Sequence, residues 1–555
     1  MSAPRTTLLM GGNVHSPADP FATAMLVEGD TVAWVGSDGA ARMHLDSVDE
    51  VVHLDGALVA PAFVDAHVHT TQTGLARTSV DLAGATSRAD ALDRLARWAR
   101  DHPGEPVWAH GWDESAWPDP VAPSRAEVDR AVGDVPAFVG RADGHSAVVS
   151  SGLLARVGAR ADLPDPAGLP GWSPTGPLVR QAHAVAYQVA HRLVVGTRRR
   201  DLQRQALRHA AAMGIATVHE MAGPDTTGDA GPGGPAGHLP GAEDLAGLLD
   251  LVAAEPLPTV VPYWAQPVTD PQTARDLVAT HRVAGLGGDL SVDGSLGSHT
   301  ASVRTPYDDA PGERGHRYLD VDTITAHLVA TTRAQVQAGF HVIGDAGLDA
   351  VLEGLRRAEQ VVGLPAVRAG RHRLEHVEMP DEDAVRALAG YGVLLSVQPA
   401  FDARWGGRDG MYARRLGPAR AEALNPLAAL VGAGVPLAFG SDSPVTAMDP
   451  WATVRAAAFH HTPTARLTVR AAFAAHTRGG WRAVGQDAGG VLAPGAPASY
   501  AIWTAGDLVI QTPDERVAAW STDPRAGVPG LPDLTPGQAL PRCLRTVSAG
   551  RVIYD

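Results

Sequence analysis

Short apolar runs recur through the middle of the chain, each followed by a longer segment whose apolar residues return every three or four positions. Runs of the first kind lie at 63–67, 215–219, 259–263, 290–293, 340–343, 372–376, 394–398 and 437–440. Their length and their Val, Ile, Leu and Phe content predict buried strands. Segments of the second kind, such as 201–212, 323–338 and 349–362, predict amphipathic helices. Eight strand–helix units in succession predict an α/β fold, a (β/α)8 barrel of the TIM type. Roughly 150 residues separate the first two runs, far more than an ordinary connection, so about 75–200 is expected to be an inserted, substrate-facing subdomain. The ends differ from the middle. Short β-rich runs separated by Gly, Asp and Pro occupy 6–9, 24–27, 31–35 and 51–54, and again 500–503, 508–510, 546–548 and 551–554. The expected organisation is a small composite β-sandwich from 1–59 and 485–555, flanking a barrel at 60–484. The Gly- and Pro-dense stretch 225–241 is expected to be a loop over the barrel mouth.

Several predicted strands end in metal-ligand chemistry. The first ends in Val64-Asp-Ala-His67-Val-His69, whose histidines at i and i+2 share one side of a strand. Neutral imidazole is a good ligand for zinc-class ions, and two rings on one rigid strand supply half a tetrahedral set. A lone His-x-His is weak evidence, but barrel active sites lie at the C-terminal strand ends, where this pair falls. Three later strand ends carry His341, His376 and Asp442. Each alone is unremarkable, since a histidine in an apolar strand is more often a hydrogen-bonded core residue. Together, in order and at comparable positions, they make a set.

Composition narrows the function classes. With 46 basic against 61 acidic residues the formal net charge is −15, which argues against nucleic acid or an anionic membrane as partner. A single cysteine, Cys543, excludes an intrachain disulfide and a cysteine-based metal cluster. No apolar run reaches the ~20 residues of a spanning helix, and the first residues lack a secretion-signal pattern, so a cytoplasmic setting is expected. No lysine occurs anywhere; all 46 basic residues are arginine. The Gly-rich 231–237 lacks the Lys-Ser/Thr of a phosphate loop, which excludes that mode of nucleotide binding.

A larger pattern joins these pieces. It runs through Gly11-Gly-Asn-Val-His15, Pro61–His69, Gly111-Trp112-Asp113-Glu114 with Trp117-Pro118, and Arg141-Ala-Asp143-Gly-His145-Ser. It continues through Gly214-Ile-Ala-Thr-Val-His219-Glu220, Asp293-Gly-Ser-Leu-Gly-Ser298, His341, Glu375-His376, Gly440-Ser-Asp442-Ser-Pro444 and Gly490-Val-Leu-Ala-Pro-Gly495. Over nearly its whole length the chain resembles the amidohydrolase superfamily, in the branch that contains N-substituted formamide deformylase. The resemblance implies His67, His69, His341 and His376 as metal ligands, with Asp442 as ligand and proton shuttle. It implies a hydrolase that cleaves a C–N bond in an amide, N-formyl, N-acyl or cyclic amide compound. The attacking hydroxide is water acidified by a divalent ion, zinc being expected. Deamination of an amino-heterocycle by the same site is the alternative, and a non-catalytic binding barrel a remote one. A small-molecule substrate is the expected partner, and a homodimer is implied only by the resemblance.

One departure matters. Many superfamily members bridge two metals with a carboxylated lysine on the fourth strand, which this composition forbids. One ion is therefore favoured, unless Asp289, Glu220 or Asp293 bridges two; Glu220 is kept as a candidate ligand. His376 and His145 join Asp442 as candidate catalytic residues. Trp112, Asp113, His145 and Asp293 are the candidate substrate-binding residues, against the alternative that the tryptophans, including Trp117, are core and His145 fixes a loop. His183, His191, His460 and His461 lie off the strand-end pattern and are expected on helix surfaces. Ser499 replaces the family's usual acid after Pro494-Gly-Ala-Pro-Ala, a detail of the β-rich end.

Overall fold

The structure is a computed structural model and describes residues 5–160, 163–224, 239, 241–504, 506–511, 520–521 and 529–555. Eight parallel strands form its centre: β1 (Phe63–Val68), β2 (Ile215–Ala222), β3 (Thr259–Trp264), β4 (Gly285–Leu286), β5 (Gln337–Val342), β6 (Arg373–His376), β7 (Leu394–Val397) and β8 (Leu437–Phe439). Their order in the sheet is their order in the chain. The barrel nearly closes through a parallel bridge from Val68 to Ser443, where Asp442 donates its N–H to the His67 carbonyl at 2.8 Å. Residues on all eight strands are largely buried, as a sheet covered by helices on its outer face requires. The helices behind them carry an apolar stripe. Asp345–Val362 buries Leu348, Val351, Leu355 and Ala358, spaced three or four apart, against the strands.

The fourth strand differs from the expectation. It is Gly285–Leu286, and 290–293 is not a strand; the run keeps one parallel bridge, Ser291 to His341. Gly287 and Gly288 break the ladder between them. A side chain on Gly287 would meet the Gly339 backbone at 2.3 Å, so β5 packs directly onto this turn. Asp289 follows at once.

Between β1 and β2 the chain builds a second, five-stranded sheet: Val80–Asp81, Val107–Trp112, Ala137–Arg141, Ser146–Val149 and Leu178–Val179. At the ends, one sheet joins Asn13–Val14 and Leu58–Pro61 to Tyr500–Thr504, Arg542–Ser548 and Arg551–Tyr554. Leu9, Met25 and Val59 share a core with Leu492, Tyr500 and Val547, so the two termini are packed together. The stretch 225–241, including the Gly-rich 231–237, lies outside the described residues apart from Leu239 and Gly241.

Several histidines lie elsewhere than expected. His183 is buried on the helix Arg180–Val195 and lines the central cleft, and on the same helix His191 stacks on Tyr187 with centroids 5.5 Å apart. His460 is buried, past the end of the helix Pro450–Ala458, with Nε2 3.4 Å from Asp402; His461, more exposed, hydrogen-bonds the same carboxylate. On the helix Arg180–Val195 the helical period sets His183 and His191 on the side of Tyr187 and its apolar neighbours, which turns both rings inward.

Candidate metal centre

β1 ends at the barrel mouth with His67 and His69 on one side, as the alternation of a strand requires. β5 delivers His341, β6 delivers His376, and the turn after β8 delivers Asp442. The five side chains converge. Asp289 lies among them: its Oδ2 is 3.2 Å from His69 Nε2, and its Oδ1 is 3.4 Å from both His67 Nε2 and His341 Nδ1. His376 Nε2 is 3.9 Å from the same Oδ1. Asp442 Oδ1 stands 3.2 Å from His69 Nε2 and 3.5 Å from His67 Nε2. Three donor groups have ligand atoms within 4.8 Å of one another: His67, His69 and Asp289; Asp289, His341 and His376; and His67, His376 and Asp442.

Partners behind the rings fix which nitrogen faces inward. His67 Nδ1 meets Glu375 Oε2 at 2.9 Å, His376 Nδ1 meets Gln398 Oε1 at 2.8 Å, and His341 Nε2 lies 3.4 Å from the Gly294 carbonyl. Glu375 is held in turn by Arg373 at 2.6 and 2.9 Å. Carboxylate and carbonyl partners of this kind orient imidazole ligands in metal sites. Asp65, buried under the site, accepts the Ser441 N–H at 2.8 Å and so ties β1 to the turn that carries Asp442. Burial pushes the Asp65 carboxyl up to about 6.

The electrostatics fit a cation. Burial alone would strip the proton from His69, but hydrogen bonds to Asp289 and Asp442 outweigh it and raise the ring to about 9. His67 is raised well above its ordinary value by the charges of Asp289 and Asp442, against the same burial. Burial likewise opposes the ionisation of Asp289, yet the His67 charge and bonds from His341 and His376 hold it well below the usual carboxylate range. Two buried carboxylates therefore demand positive charge, and inward-facing imidazole nitrogens stand beside them. A divalent ion replaces those protons with a single charge centre, and the donor set of imidazoles and carboxylates suits one.

The other candidates separate cleanly. His145 lines the cleft with its ring 5.3 Å from that of His341. Glu220 belongs to none of the donor groups. It accepts the Thr70 N–H at 2.9 Å and a short bond from the Thr70 hydroxyl, which anchors the turn after His69. Asp293 does not line the cleft either, because its oxygens accept the N–H groups of Ile343, Gly344 and Ser302 at 2.8–2.9 Å. Trp112 and Trp117 are core of the inserted sheet, and Trp112 donates its indole N–H to the Val139 carbonyl at 2.9 Å. Asp113 stands behind the cleft wall, bonded to Arg141, Ser115 and Trp405. Sequence reasoning missed the supporting residues Glu375, Gln398 and Asp65, and the cleft residues His183 and Tyr187; a polar residue inside an apolar strand was the available signal for Glu375 and Asp65.

Comparison with known proteins supplies the family and the fold. The model of the Amidohydrolase family matches residues 50–554. Protein LONG AFTER FAR-RED 3 of Arabidopsis thaliana is 27% identical over 513 residues, covering 87% of this chain and 84% of that protein. N-substituted formamide deformylase of Arthrobacter pascens is 23% identical over 466 residues, covering 81% of this chain and 83% of that protein. Among solved structures, an uncharacterized metal-dependent hydrolase from Pyrococcus horikoshii OT3 superposes with a TM-score of 0.67 at 24% identity, covering 90% and 97% of the two chains. That likeness establishes the fold.

Proposed function

The chain belongs to the amidohydrolase family, and from that membership and the donor cluster we infer that it hydrolyses the C–N bond of a small N-formyl or N-acyl amine. The observation that carries this reading is the convergence of four inward imidazoles on two carboxylates at the barrel mouth. The similarity to a formamide deformylase supports the substrate class. His67, His69, His341 and His376, with Asp289 among them in place of the absent lysine, would hold two divalent ions of the zinc type. Two ions are preferred here to the single ion favoured by sequence, because both histidine pairs reach Asp289. When bound, such metal acidifies water to near neutrality and polarises a carbonyl.

The protein's own groups do the rest. Asp442 is held at the junction by its N–H bond to His67 and by its carboxylate facing His69, where it accepts a proton from water and returns it to the departing amine. His145, beside His341, is placed to donate a hydrogen bond to the oxygen that gains charge at the carbonyl. The composite terminal β domain (1–59 with 485–555), the barrel (60–484) and the insertion (about 75–200) are proposed as the domain limits, supported by the sheet shared between the two ends.

The test is release of amine and carboxylate from a panel of N-formyl and N-acyl amines by zinc-loaded protein. Asp442→Asn and His67→Ala should each lower kcat by at least about 100-fold. Unchanged turnover in both variants would end the reading, and release of ammonia from an amino-heterocycle would replace amide cleavage by deamination.

A further inference from the structure

The cleft at the candidate metal centre has two arms that share Asp143, His145, His341, His376, Asp442 and Val445. The larger arm runs under the inserted sheet, where Trp108 stacks on Phe138 at 4.7 Å and Tyr187 stands edge-on to both. The smaller arm follows an unbroken row of rings. His376 stacks on Phe401 at 6.0 Å, Phe401 meets Trp405 at 5.1 Å, and Trp405 meets Tyr412 at 6.3 Å. Ile343 and Met411 complete an apolar lining, and among these walls stands one carboxylate outside the donor cluster and the Arg141 ion pairs, Glu378.

Glu378 is 3% exposed and Tyr412 2%. The two interact with each other, yet neither Glu378 Oε2 nor the Tyr412 hydroxyl completes a hydrogen bond among the described residues. Glu220, Glu375 and Asp293, equally buried around the same centre, have theirs completed by Thr70, by Arg373 with His67, and by backbone N–H groups. Buried polar atoms left open in a folded protein call for a partner, and those lining a cleft can find it in a ligand.

Resting on the hydrolase reading above, we propose that Glu378 and Tyr412 form a specificity subsite that receives an N–H or O–H donor borne on an aryl substituent of the amide. The aromatic row binds the ring by stacking and burial. Glu378 accepts from the donor, and Tyr412 completes the contact. Donor-less analogues leave both polar atoms buried and open, so discrimination falls on the substituent and leaves the scissile bond untouched.

The experiment compares N-formyltyramine with N-formylphenethylamine, which differ by one hydroxyl, on zinc-loaded protein. Wild type should favour the hydroxylated amide by at least about 10-fold in kcat/KM. Glu378→Leu should bring the ratio to about one, Tyr412→Phe should lower it partway, and Glu378→Gln, which keeps an acceptor, should retain part of it. The ratio within each variant is insensitive to a general loss of stability or metal. A wild-type ratio near one, or one unchanged in Glu378→Leu, overturns the subsite while cleavage itself upholds the hydrolase reading. If neither amide is cleaved, calorimetric affinities give the same ratio. A preference that Glu378→Leu removes then upholds the subsite and removes N-formyl amines from the hydrolase reading; no binding of either amide overturns the subsite.

Discussion

Asp289 sets the charge balance of the centre, because its two oxygens meet imidazoles from β1 and β5 at 3.2–3.4 Å. Asparagine keeps the shape and removes the charge. Asp289→Asn should therefore lower bound zinc from about two ions per chain to one or fewer, measured by elemental analysis after gel filtration. Two ions retained in the variant would remove Asp289 from the bridging role. Glu375 acts one step further out. It orients His67 through Nδ1 and is itself clamped by Arg373, whose charge, with the His67 bond, outweighs burial and holds the carboxyl down at about 2. Glu375→Gln should weaken zinc affinity by about 10–100-fold in a chelator competition while leaving the fold intact, and an unchanged affinity would make Glu375 a structural residue only. The convergence of the proposed ligands was legible in sequence because strand alternation and strand-end position are local rules that His67, His69, His341, His376 and Asp442 follow. Asp289 was legible only as one of three acids. Glu220 and Asp293 are the same chemical type, and what separates them is whether a neighbouring backbone N–H already occupies the carboxylate, a fact of tertiary structure.

At the scale of elements, the site depends on how closely β8 approaches β1. Gly440 follows β8, and a Cβ there would lie 2.6 Å from the His67 nitrogen and 2.9 Å from its Cβ. Gly440→Ala must push apart the two strands that present His67 and Asp442. We expect a loss of about 1–3 kcal/mol of stability, seen as a lowered thermal midpoint, together with weaker zinc retention. A variant with wild-type midpoint and metal content would show that the junction yields at no cost. The same close-approach logic explains the fourth strand. The run Leu290-Ser-Val-Asp293 has a strand's apolar content, but the Gly-Gly pair before it lets β5 press on the backbone, so the ladder stops at Leu286 and the chain turns. Periodicity reports which face a residue prefers, and it carries no information about where two backbones touch. Seven of the eight strands therefore fall where the apolar runs do, with ends that differ by up to a few residues, and the eighth falls just before its run.

Across the whole molecule, histidines held neutral recur in every part: His15 in the terminal sheet region and His191 in the insertion, both half-buried, and His327, His372 and His476, buried around the barrel. None was distinguishable in sequence from a surface histidine, since burial of an imidazole depends on partners far along the chain. His372 shows the mechanism. Its Nδ1 accepts the Ala338 N–H at 3.1 Å, which leaves the ring proton on Nε2, facing the Thr332 hydroxyl at 3.0 Å. Protonating Nδ1 sets two donors against each other, and burial with the nearby His327 lowers the ring to about 3. His327 repeats the arrangement with Val268 and Leu286, and burial lowers it to about 4. In the unfolded chain such rings bind a proton near pH 6.5, whereas in the fold they stay neutral until pH 3–4. Between those limits the unfolded state holds more protons, so stability falls as pH falls, and above 6.5 the effect vanishes. At about 1.4 kcal/mol per unit, each ring removes on the order of 3 kcal/mol by pH 4. His372→Leu cannot titrate. It leaves the Ala338 N–H without its acceptor at every pH, so it should be less stable than wild type at pH 7.5. The gap in thermal midpoint should then narrow steadily from pH 6.5 to 4.5, because only the wild type gains the acid penalty. Differencing the two proteins cancels metal release and titrations elsewhere in the molecule, and a gap that stays constant with pH would show that His372 is not held neutral.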